Sequence, residues 1–464
     1  MLHVRLVIAA FFVLTTTHAL ATSAAETDAV IGVESAAPPN IVFIMADDLG
    51  YGDLGCFGQK EMLTPNIDGL AASGMRFTQC YSGSTVCAPS RCSLLTGKHN
   101  GHARVRGNAG WDGKDRVKTP ELPLEDDDVT IAEVLKKSGY ATGATGKWGV
   151  GQPGTSGMPT RQGFDEFLGF LNQRHAHGYY PEYIWRNETM ISLDQNLGGQ
   201  QNDWIHDRMT EFALDFIREN QQQPFFLYVP YTIPHGRYEV PTDNPYSDRD
   251  WPQPLRSYAA MITRMDTDVG KMLHLLEDLK IIDNTLVFFT SDNGAEIYYF
   301  REHDLVDVFD ETLNSRGGLT GWKRDLTDGG IRVPMIASWP GHIPAGQTSE
   351  FVCALYDILP TLADVAGTTP PPGIDGQSIL PTLLGGTQAA HEFLYWEFFE
   401  RGFQQAVRHG PYKAIRLKQG KPLQLFNVID DPAEQKDIAE RHPEVIAKVE
   451  AYLKTARTES PFWP

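Results

Sequence analysis

One cysteine of this chain stands where a helix would favour an anion. Cys87 begins the run Cys-Ala-Pro-Ser-Arg-Cys-Ser-Leu-Leu-Thr-Gly, which predicts a short helix just after it. Pro89 suits the first helical turn, where its missing N–H costs nothing, and Ser90 can satisfy a free backbone donor. The positive end of the helix dipole and the cation Arg91 would both favour a negative charge at Cys87. The other interpretation is a buried structural cysteine, which is the usual state of a free thiol.

Two pairs of side chains with carboxylate or amide oxygens follow apolar runs that are typical of buried strands. Asp47 and Asp48 come after the apolar run 40–46, and Asp292 and Asn293 come just after the run 286–290. Oxygen ligands without histidine or cysteine suit Ca²⁺ or Mg²⁺ better than zinc. Seen alone, an aspartate pair is equally consistent with an acidic turn or a helix cap.

Polar side chains from distant parts of the sequence follow predicted strands. Besides these two pairs, Lys147 follows the predicted strand 140–144 and His235 follows the predicted strand 225–231. In open α/β sheets the ligand binds outside the carboxyl ends of the strands. We therefore predict that Asp47, Lys147, His235 and Asp292 converge, although a single histidine at a strand end is more often structural.

The run 87–97 resembles the sulfatase pattern Cys-x-Pro-Ser-Arg-x-x-Leu-x-Thr-Gly and matches it at every fixed position. The resemblance extends from about residue 40 to the last predicted helix. Further motifs similar to the family are Thr64-Pro65-Asn66, Gly146-Lys147-Trp148, Pro234-His235, Ser291-Asp292-Asn293-Gly294, and the element Gly329-Gly330-Ile331-Arg332-Val333-Pro334, where Asp328 stands in place of a more common glutamate.

The resemblance implies a fold and two cofactors. The implied fold class is α/β, alkaline-phosphatase-like, with a large mixed, mostly parallel sheet flanked by helices and a small C-terminal antiparallel sheet with a helix. In this family the cysteine, here Cys87, is oxidised to formylglycine by a maturation enzyme, and its hydrate is the nucleophile. The usual metal is Ca²⁺, with Mg²⁺ as the alternative, and the implied ligands are Asp47, Asp48, Asp292, Asn293 and residue 87.

The resemblance also implies roles for the cationic residues. Arg91 would hold the nucleophile, Lys147 and Lys323 would bind the sulfate oxygens, and His235 or Lys323 would protonate the leaving oxygen. Because sulfate esters react much like phosphoryl groups, positioning and positive charge should supply most of the rate.

Gly149 departs from the family pattern, which has a histidine two residues after the lysine. That histidine is often considered the base that returns the nucleophile to its aldehyde form. Three outcomes are open here: His175 or His177 takes the role, another base does, or turnover is impaired. We favour the two histidines because Gly149 leaves space for an imidazole. They lie in the aromatic run 172–185, which predicts a substrate-facing loop or, equally, a packed aromatic cluster at the core edge.

The sequence predicts an exported chain with two structural parts. Arg5, a short apolar run and Ala19-Leu20-Ala21 are typical of a secretory signal, and the apolar run is too short for a transmembrane anchor. We expect a periplasmic or secreted protein without stable membrane insertion. The predicted segments are a signal peptide at 1–21, a disordered lead-in at 22–38, a sulfatase catalytic domain at 39–388 and a C-terminal α+β subdomain at 389–464.

Composition excludes one class of partner. The 464 residues carry a net charge of −19, which argues against nucleic acid because phosphate binding needs a basic face. Five cysteines are present, so four remain after modification of Cys87 and permit up to two disulfides whose pairing stays open.

The predicted function is an exported sulfuric ester hydrolase acting on a sulfated glycan or an aryl sulfate. One alternative within the superfamily is a phosphonate or phosphate monoester hydrolase. A second is an inactive protein that binds sulfated glycans, which Gly149 suggests. A hydrolase that uses an unmodified Cys87 has no further support in the sequence.

Overall fold

A computed structural model describes residues 38–108 and 121–463. The predicted signal peptide and all but the last residue of the predicted lead-in lie outside this range. Within it, no helix is long and apolar enough to cross a membrane. All five cysteines lie in the described part of the chain and are free thiols, so the disulfides that the sequence permitted are not formed.

The described residues form sixteen strands and eleven α-helices. The strands are β1 Asn40–Ala46, β2 Met75–Phe77, β3 Cys80–Tyr81, β4 Ala141–Lys147, β5 Glu166–Phe170, β6 Tyr183–Arg186, β7 Thr189–Ser192, β8 Phe225–Pro230, β9 Thr285–Ser291, β10 Met335–Ser338, β11 Gln347–Ser349, β12 Cys353–Ala354, β13 Leu394–Phe398, β14 Gln404–His409, β15 Tyr412–Arg416 and β16 Gln424–Asn427. The helices are α1 Pro65–Ser73, α2 Cys87–Thr96, α3 Ile131–Lys137, α4 Ile205–Asn220, α5 Gln253–Asp278, α6 Tyr298–Glu302, α7 Val306–Leu313, α8 Asp328–Ile331, α9 Ile358–Val365, α10 Leu380–Leu383 and α11 Pro443–Tyr452.

A ten-stranded mixed sheet forms the centre of the molecule. Its order is β11-β2-β10-β9-β1-β8-β4-β5-β6-β7, and β9, β1, β8, β4 and β5 run parallel to one another. Strand β10 pairs antiparallel with both β9 and β2, and β6 and β7 extend the other end as antiparallel strands. The carboxyl ends of four central strands therefore lie side by side at one edge.

Strand β1 is buried on both faces, as its continuous apolar run predicts. Val42 and Ile44 pack into the core beneath α1, α4 and α5, whereas Ile41 and Phe43 pack into the core beneath α2, α3 and α9. Successive side chains of a strand point to opposite faces, so one uninterrupted run of apolar residues supplies two cores. The result is a three-layer arrangement of helices, sheet and helices.

The C-terminal part forms a separate antiparallel sheet in the order β13-β14-β15-β16. One face of this sheet packs with Val445 and Val449 of α11. Together with the large sheet, it confirms the predicted α/β fold class with an additional small antiparallel sheet and helix.

Several predicted boundaries change in the structure. The strand predicted at 140–144 continues to Lys147, so the lysine ends β4 rather than following it. Helix α2 begins at Cys87 itself, and Ser90 accepts a hydrogen bond from the Gly83 N–H instead of capping the helix. The aromatic run 172–185 is not all loop, because it contains a short 3₁₀ turn at His175–His177 and the start of β6.

Candidate active site

The predicted polar residues meet at the carboxyl edge of the large sheet. Asp47 and Asp48 follow β1, Asp292 and Asn293 follow β9, and Lys147 ends β4. His235 lies five residues beyond the end of β8 rather than directly after it. All six side chains are buried, because the strands that carry them are adjacent and the loops beyond them close over the edge.

Cys87 lies at the first residue of α2 and faces two carboxylates. Its Sγ is 3.4 Å from Asp47 Oδ1 and 3.9 Å from Asp48 Oδ1. Burial raises the pKa of the Cys87 thiol to about 12, although Lys147 and Lys323 act in the opposite direction. Since the thiolate is the nucleophilic form, an unmodified Cys87 is poorly suited to attack.

Arg91 connects α2 with two strand ends. Its Nε and Nη2 donate to Asp292 Oδ2 at 3.1 and 2.7 Å, and its Nη1 donates to the Lys147 carbonyl at 2.6 Å. The guanidinium is wholly buried. Paired donors of this kind give geometric specificity as well as energy. Arg91 therefore connects the helix that carries Cys87 to the end of β4 and to the loop after β9, and so fixes their relative positions.

Two buried lysines are each paired with one of the β1 aspartates. Lys147 Nζ donates to Asp47 Oδ2 at 2.7 Å, and Lys323 Nζ lies 2.7 and 2.8 Å from the two oxygens of Asp48. Burial acts to lower both lysine pKa values, but the partner aspartates hold them above the usual value. The two ammonium groups thus remain charged and face the same space as Cys87.

The oxygen ligands fit a divalent cation. Ligand atoms of Asp47, Asp48, Asp292 and Cys87 lie within 4.8 Å of one another. Asn293 donates through Nδ2 to Asp48 Oδ1 at 2.7 Å, while its buried Oδ1 has no hydrogen-bond partner among the described residues. Burial and the neighbouring Asp47 charge raise the pKa of Asp292 to about 6. Crowded carboxylates and an unpartnered amide oxygen are a donor set that Ca²⁺ or Mg²⁺ would satisfy.

His235 joins the cluster through Asp48. Its Nε2 lies 3.4 Å from Asp48 Oδ2, and its Nδ1 is 3.2 Å from the Gly236 carbonyl oxygen. Burial lowers its pKa well below the usual value despite the attraction of Asp48. The imidazole is therefore within reach of the same space that the two lysines face.

The two histidines of the aromatic run have different positions. The His177 ring stacks on His235, with centroids 4.0 Å apart and an interplanar angle of 24°. His175 instead packs against Phe170 and Tyr183, at centroid distances of 4.8 and 4.1 Å. The structure thus brings His177 to the edge of the cluster and leaves His175 in an aromatic contact at β5 and β6.

The space beside Gly149 is filled, contrary to our expectation that an imidazole could enter it. A Cβ at residue 149 would lie 1.6 Å from Gln173 Nε2, and that amide donates to the Gly149 carbonyl at 3.3 Å. The Gln173 backbone N–H is held by Glu121 Oε1 at 2.9 Å. The positive φ of 79° at Gly149 also favours glycine. Gln173 therefore occupies the volume that a side chain at position 149 would need.

Sequence reasoning missed Gln173, Glu121 and Glu296. Glu296 is buried beside Lys323 and follows Asp292 by four residues, so its place shortly after the predicted ligands Asp292 and Asn293 could have indicated it. Gln173 precedes the two histidines in the run that we did examine. Nothing in the sequence indicated Glu121, because its contact with residue 173 arises only from the fold.

Comparison with known proteins gives matches over nearly the whole described chain. The family model Sulfatase matches residues 39–368, and the model N-sulphoglucosamine sulphohydrolase, C-terminal, matches residues 318–459. Human arylsulfatase A is 37% identical over 422 residues, covering 84% of this chain and 77% of that protein. The N-acetylgalactosamine-6-sulfatase of Canis lupus familiaris is 35% identical over 406 residues, covering 81% and 71%.

Solved structures share the same architecture. The crystal structure of Ps i-CgsB in complex with k-i-k-neocarrahexaose superposes with a TM-score of 0.78 at 27% identity, covering 92% of this chain and 95% of that chain. The phosphonate monoester hydrolase of Agrobacterium radiobacter superposes with a TM-score of 0.63 at 22% identity, covering 90% and 95%. The similarity to the phosphonate monoester hydrolase shows a shared fold and nothing about activity.

Proposed function

This chain belongs to the sulfatase family and is a sulfuric ester hydrolase, and we propose that it removes sulfate from a sulfated carbohydrate by means of a formylglycine at position 87 and a bound Ca²⁺. The observation that carries the proposal is the meeting of Asp47, Asp48 and Asp292 with Lys147 and Lys323 around Cys87. Three buried carboxylates and two buried ammonium groups about one side chain form a site for a cation and an anion together.

The residues of the chain have separate tasks in this proposal. Lys147 and Lys323 donate hydrogen bonds to the sulfate oxygens, because their ammonium groups are buried point charges that face the same space. Arg91 keeps Asp292 and the end of β4 in place. His235 or Lys323 gives a proton to the oxygen of the leaving alcohol, which avoids release of a costly alkoxide.

The metal and the modified residue supply the remaining chemistry. Asp47, Asp48, Asp292 and Asn293 would hold the cation, which lowers the cost of negative charge at residue 87 and on the sulfuryl group. Once Cys87 is converted by a maturation enzyme, the hydrated aldehyde would supply a hydroxyl nucleophile in the space that Lys147 and Lys323 face. Mg²⁺ is the alternative ion, because the ligands are all hard oxygens.

His177 is our candidate for the base that the pattern around Gly149 lacks. It stacks on His235, which itself contacts Asp48, so it lies closer to the cluster than His175 does. A neighbouring imidazole can accept a proton directly or through one water. Gln173 keeps the volume beside Gly149 filled in the absence of a larger side chain there.

The preference for a carbohydrate substrate rests on the similar proteins and on the predicted export of this chain. One relative is an N-acetylgalactosamine-6-sulfatase, and one solved structure is a complex with k-i-k-neocarrahexaose. The sequence predicts export to the periplasm or the exterior, where a polysaccharide that cannot cross a membrane would be accessible to the enzyme. Small aryl sulfates would serve as surrogate substrates.

Mass spectrometry of the peptide that contains Cys87, combined with an activity screen, tests the proposal. In protein from its own host we expect a loss of about 18 Da, the change from cysteine to formylglycine. We also expect hydrolysis of 4-nitrophenyl sulfate and of sulfated sugars, inhibition by a chelator, recovery with Ca²⁺, and no activity in Cys87→Ala. An unmodified thiol in a host that has the maturation enzyme would refute the mechanism.

The same screen separates the alternatives. Phenylphosphonate esters cleaved faster than sulfate esters would favour a phosphonate or phosphate monoester hydrolase. Binding of sulfated glycans without release of sulfate would favour the inactive binding protein that Gly149 suggested.

A further inference from the structure

We propose that the surface next to Lys323 is a carbohydrate subsite that binds a neighbouring sugar unit of an oligosaccharide substrate. The inference rests on the proposed function, because it requires a sulfated carbohydrate at Cys87. The subsite is formed by Tyr298, Arg324, Glu400 and Arg401, which we call the rim cluster. Two of its members come from the connection between β13 and β14, so the C-terminal sheet would take part in substrate recognition.

The rim cluster begins at the residue after the sulfate-binding lysine. The Lys323 N–H donates to the Ala295 carbonyl at 2.9 Å, three residues after Asp292. The Arg324 N–H donates to the Thr85 carbonyl at 3.0 Å, two residues before Cys87. The backbone at 323–324 is therefore held to both loops that carry the reactive groups, and Arg324 takes a φ of 77° there.

The side chains of these two residues diverge. Lys323 reaches inward to Asp48, whereas Arg324 Nε donates to Glu400 Oε2 at 3.0 Å. The Arg324 Nη1 is buried and has no hydrogen-bond partner among the described residues. A buried guanidinium N–H without a partner is costly, so a turn of the partly exposed Arg324 guanidinium that offers this N–H to a ligand hydroxyl or carbonyl oxygen would be stabilised.

The exposed fraction of the side chains rises from Asp48 in the buried site to Arg401 in the rim cluster. The exposed fraction of the side chain is 1% for Asp48, 2% for Lys323, 21% for Arg324, 34% for Glu400 and 37% for Arg401. The rim cluster therefore lies between solvent and the buried Lys323. In this proposal, the part of a long substrate that stays outside the buried site contacts the rim cluster.

The chemistry of the rim cluster suits a hydroxyl-rich ring. The Arg324 guanidinium lies 4.5 Å from the centroid of the half-buried Tyr298 ring, and Arg401 Nη2 donates to the Tyr298 hydroxyl at 3.1 Å. Each arginine is also paired with a carboxylate, Arg324 with Glu400 and Arg401 with Asp325 at 2.7 Å. Charge-paired donors and acceptors beside an aromatic ring match sugar hydroxyls better than a second sulfate, which would meet a carboxylate at each arginine.

The experiment compares long and short substrates in one enzyme. For each variant, kcat/KM is measured on 4-nitrophenyl sulfate and on a panel of sulfated oligosaccharides, with each oligosaccharide also tested as an inhibitor of aryl sulfate hydrolysis. The variants are Arg401→Ala and Tyr298→Leu. The control is Arg186→Ala. Arg186 ends strand β6, is 39% exposed, is paired with Glu166 and lies 4.7 Å from the centroid of the Phe212 ring.

We expect the ratio of kcat/KM on an oligosaccharide to kcat/KM on the aryl sulfate to fall about tenfold in both rim variants, because Arg401→Ala removes one charged hydrogen bond and Tyr298→Leu removes the aromatic ring beside the sugar. The control should keep the wild-type ratio. An unchanged ratio in both folded rim variants would make the cluster a surface ion-pair network only. A wild-type enzyme that cleaves the aryl sulfate but neither cleaves nor is inhibited by oligosaccharides would also refute the subsite, whereas absence of aryl sulfate hydrolysis would refute the proposed function instead.

Discussion

At the scale of single residues, charge balance explains why so many ionisable groups can be buried in one place. Asp47, Asp48 and Asp292 face the three cations Arg91, Lys147 and Lys323, so six buried charges sum to zero before any ligand binds. Buried charges are tolerated when they are paired and hydrogen-bonded. The closest carboxylates of Arg91, Lys147 and Lys323 are Asp292, Asp47 and Asp48, so removal of one cation leaves a different carboxylate without its closest cation.

Replacement of Lys147 tests the role of the buried ammonium groups. Lys147→Met should lower kcat/KM on an aryl sulfate about 10²- to 10³-fold, the usual effect of deleting one charge-stabilising donor. Lys136→Met is the control, because Lys136 forms an exposed ion pair with Asp165 at 2.6 Å. Activity within a few-fold of wild type in Lys147→Met would show that the ammonium group does not contact the sulfate.

Replacement of each loop histidine tests the identity of the missing base. His177→Ala should lower kcat about 10²-fold, because an imidazole positioned for proton transfer contributes at least that much. His175→Ala should keep normal turnover, since its ring packs between Phe170 and Tyr183. Normal turnover in both variants would contradict the proposal that this loop supplies the base.

At the scale of secondary structure, the site depends on loops that are held to helices by buried polar contacts. The loop after β1 is an example, because Asp53 Oδ2 accepts hydrogen bonds from the Gly50 N–H at 2.6 Å, Tyr258 of α5 at 2.5 Å and Ser315 at 2.9 Å. The other oxygen of Asp53 is buried without a partner among the described residues. This carboxyl group joins the loop that carries Asp47 and Asp48 to the longest helix.

Asp53 predicts a pH dependence of stability. Burial raises its pKa from 3.8 to about 7, so the folded state binds this proton more tightly than the unfolded state. Its contribution to the free energy of unfolding is therefore full below about pH 4, falls as the pH rises towards 7 and is constant above that. Denaturant titrations from pH 4 to 8 should show that Asp53→Asn has a smaller decline than wild type. Parallel pH profiles would contradict the raised pKa.

At the scale of the whole molecule, the small C-terminal sheet is tied to the large one by buried charge. Lys413 of β15 is wholly buried, donates to Asp328 Oδ1 at 2.6 Å and lies 2.9 Å from Glu434 Oε1. Asp328 belongs to the short helix α8, five residues after Lys323. Through this contact the C-terminal sheet supports the segment that carries Lys323, one of the two lysines that we propose bind sulfate.

Removal of the Lys413 charge should destabilise the protein strongly. Lys413→Met is expected to lower the free energy of unfolding by about 3 kcal/mol, because the buried Glu434 would lose its ammonium partner and Asp328 would keep Arg332 but lose its closer contact with Lys413. Lys418→Met, at an exposed position after β15, is the matched control and should change it by less than about 0.5 kcal/mol. The measurement is urea unfolding followed by circular dichroism, and equal stability of the two variants would contradict the buried ion pair.

The sequence by itself determined the fold class, through the family resemblance that the cysteine run carries, and the convergence of Asp47 and Asp292 with Lys147 and His235. The convergence depends on local patterns, because an apolar run sets a buried strand and adjacent parallel strands bring their ends together. The end of strand β4 and the start of helix α2 differ from the prediction. At α2, the hydrogen bond from the Gly83 N–H to Ser90 replaces the expected helix cap.

Only the tertiary structure decided which residues outside the recognised sequence motifs lie around the site. Gln173 fills the space beside Gly149, His177 rather than His175 stacks on His235, and Glu400 and Arg401 arrive from the C-terminal part of the chain. Some of these contacts join residues that are far apart in the sequence. Another distinguishes His177 from His175, which lies only two positions away in the same loop. The partners in these contacts are set by the packing of whole layers, for which no local periodicity carries a signal.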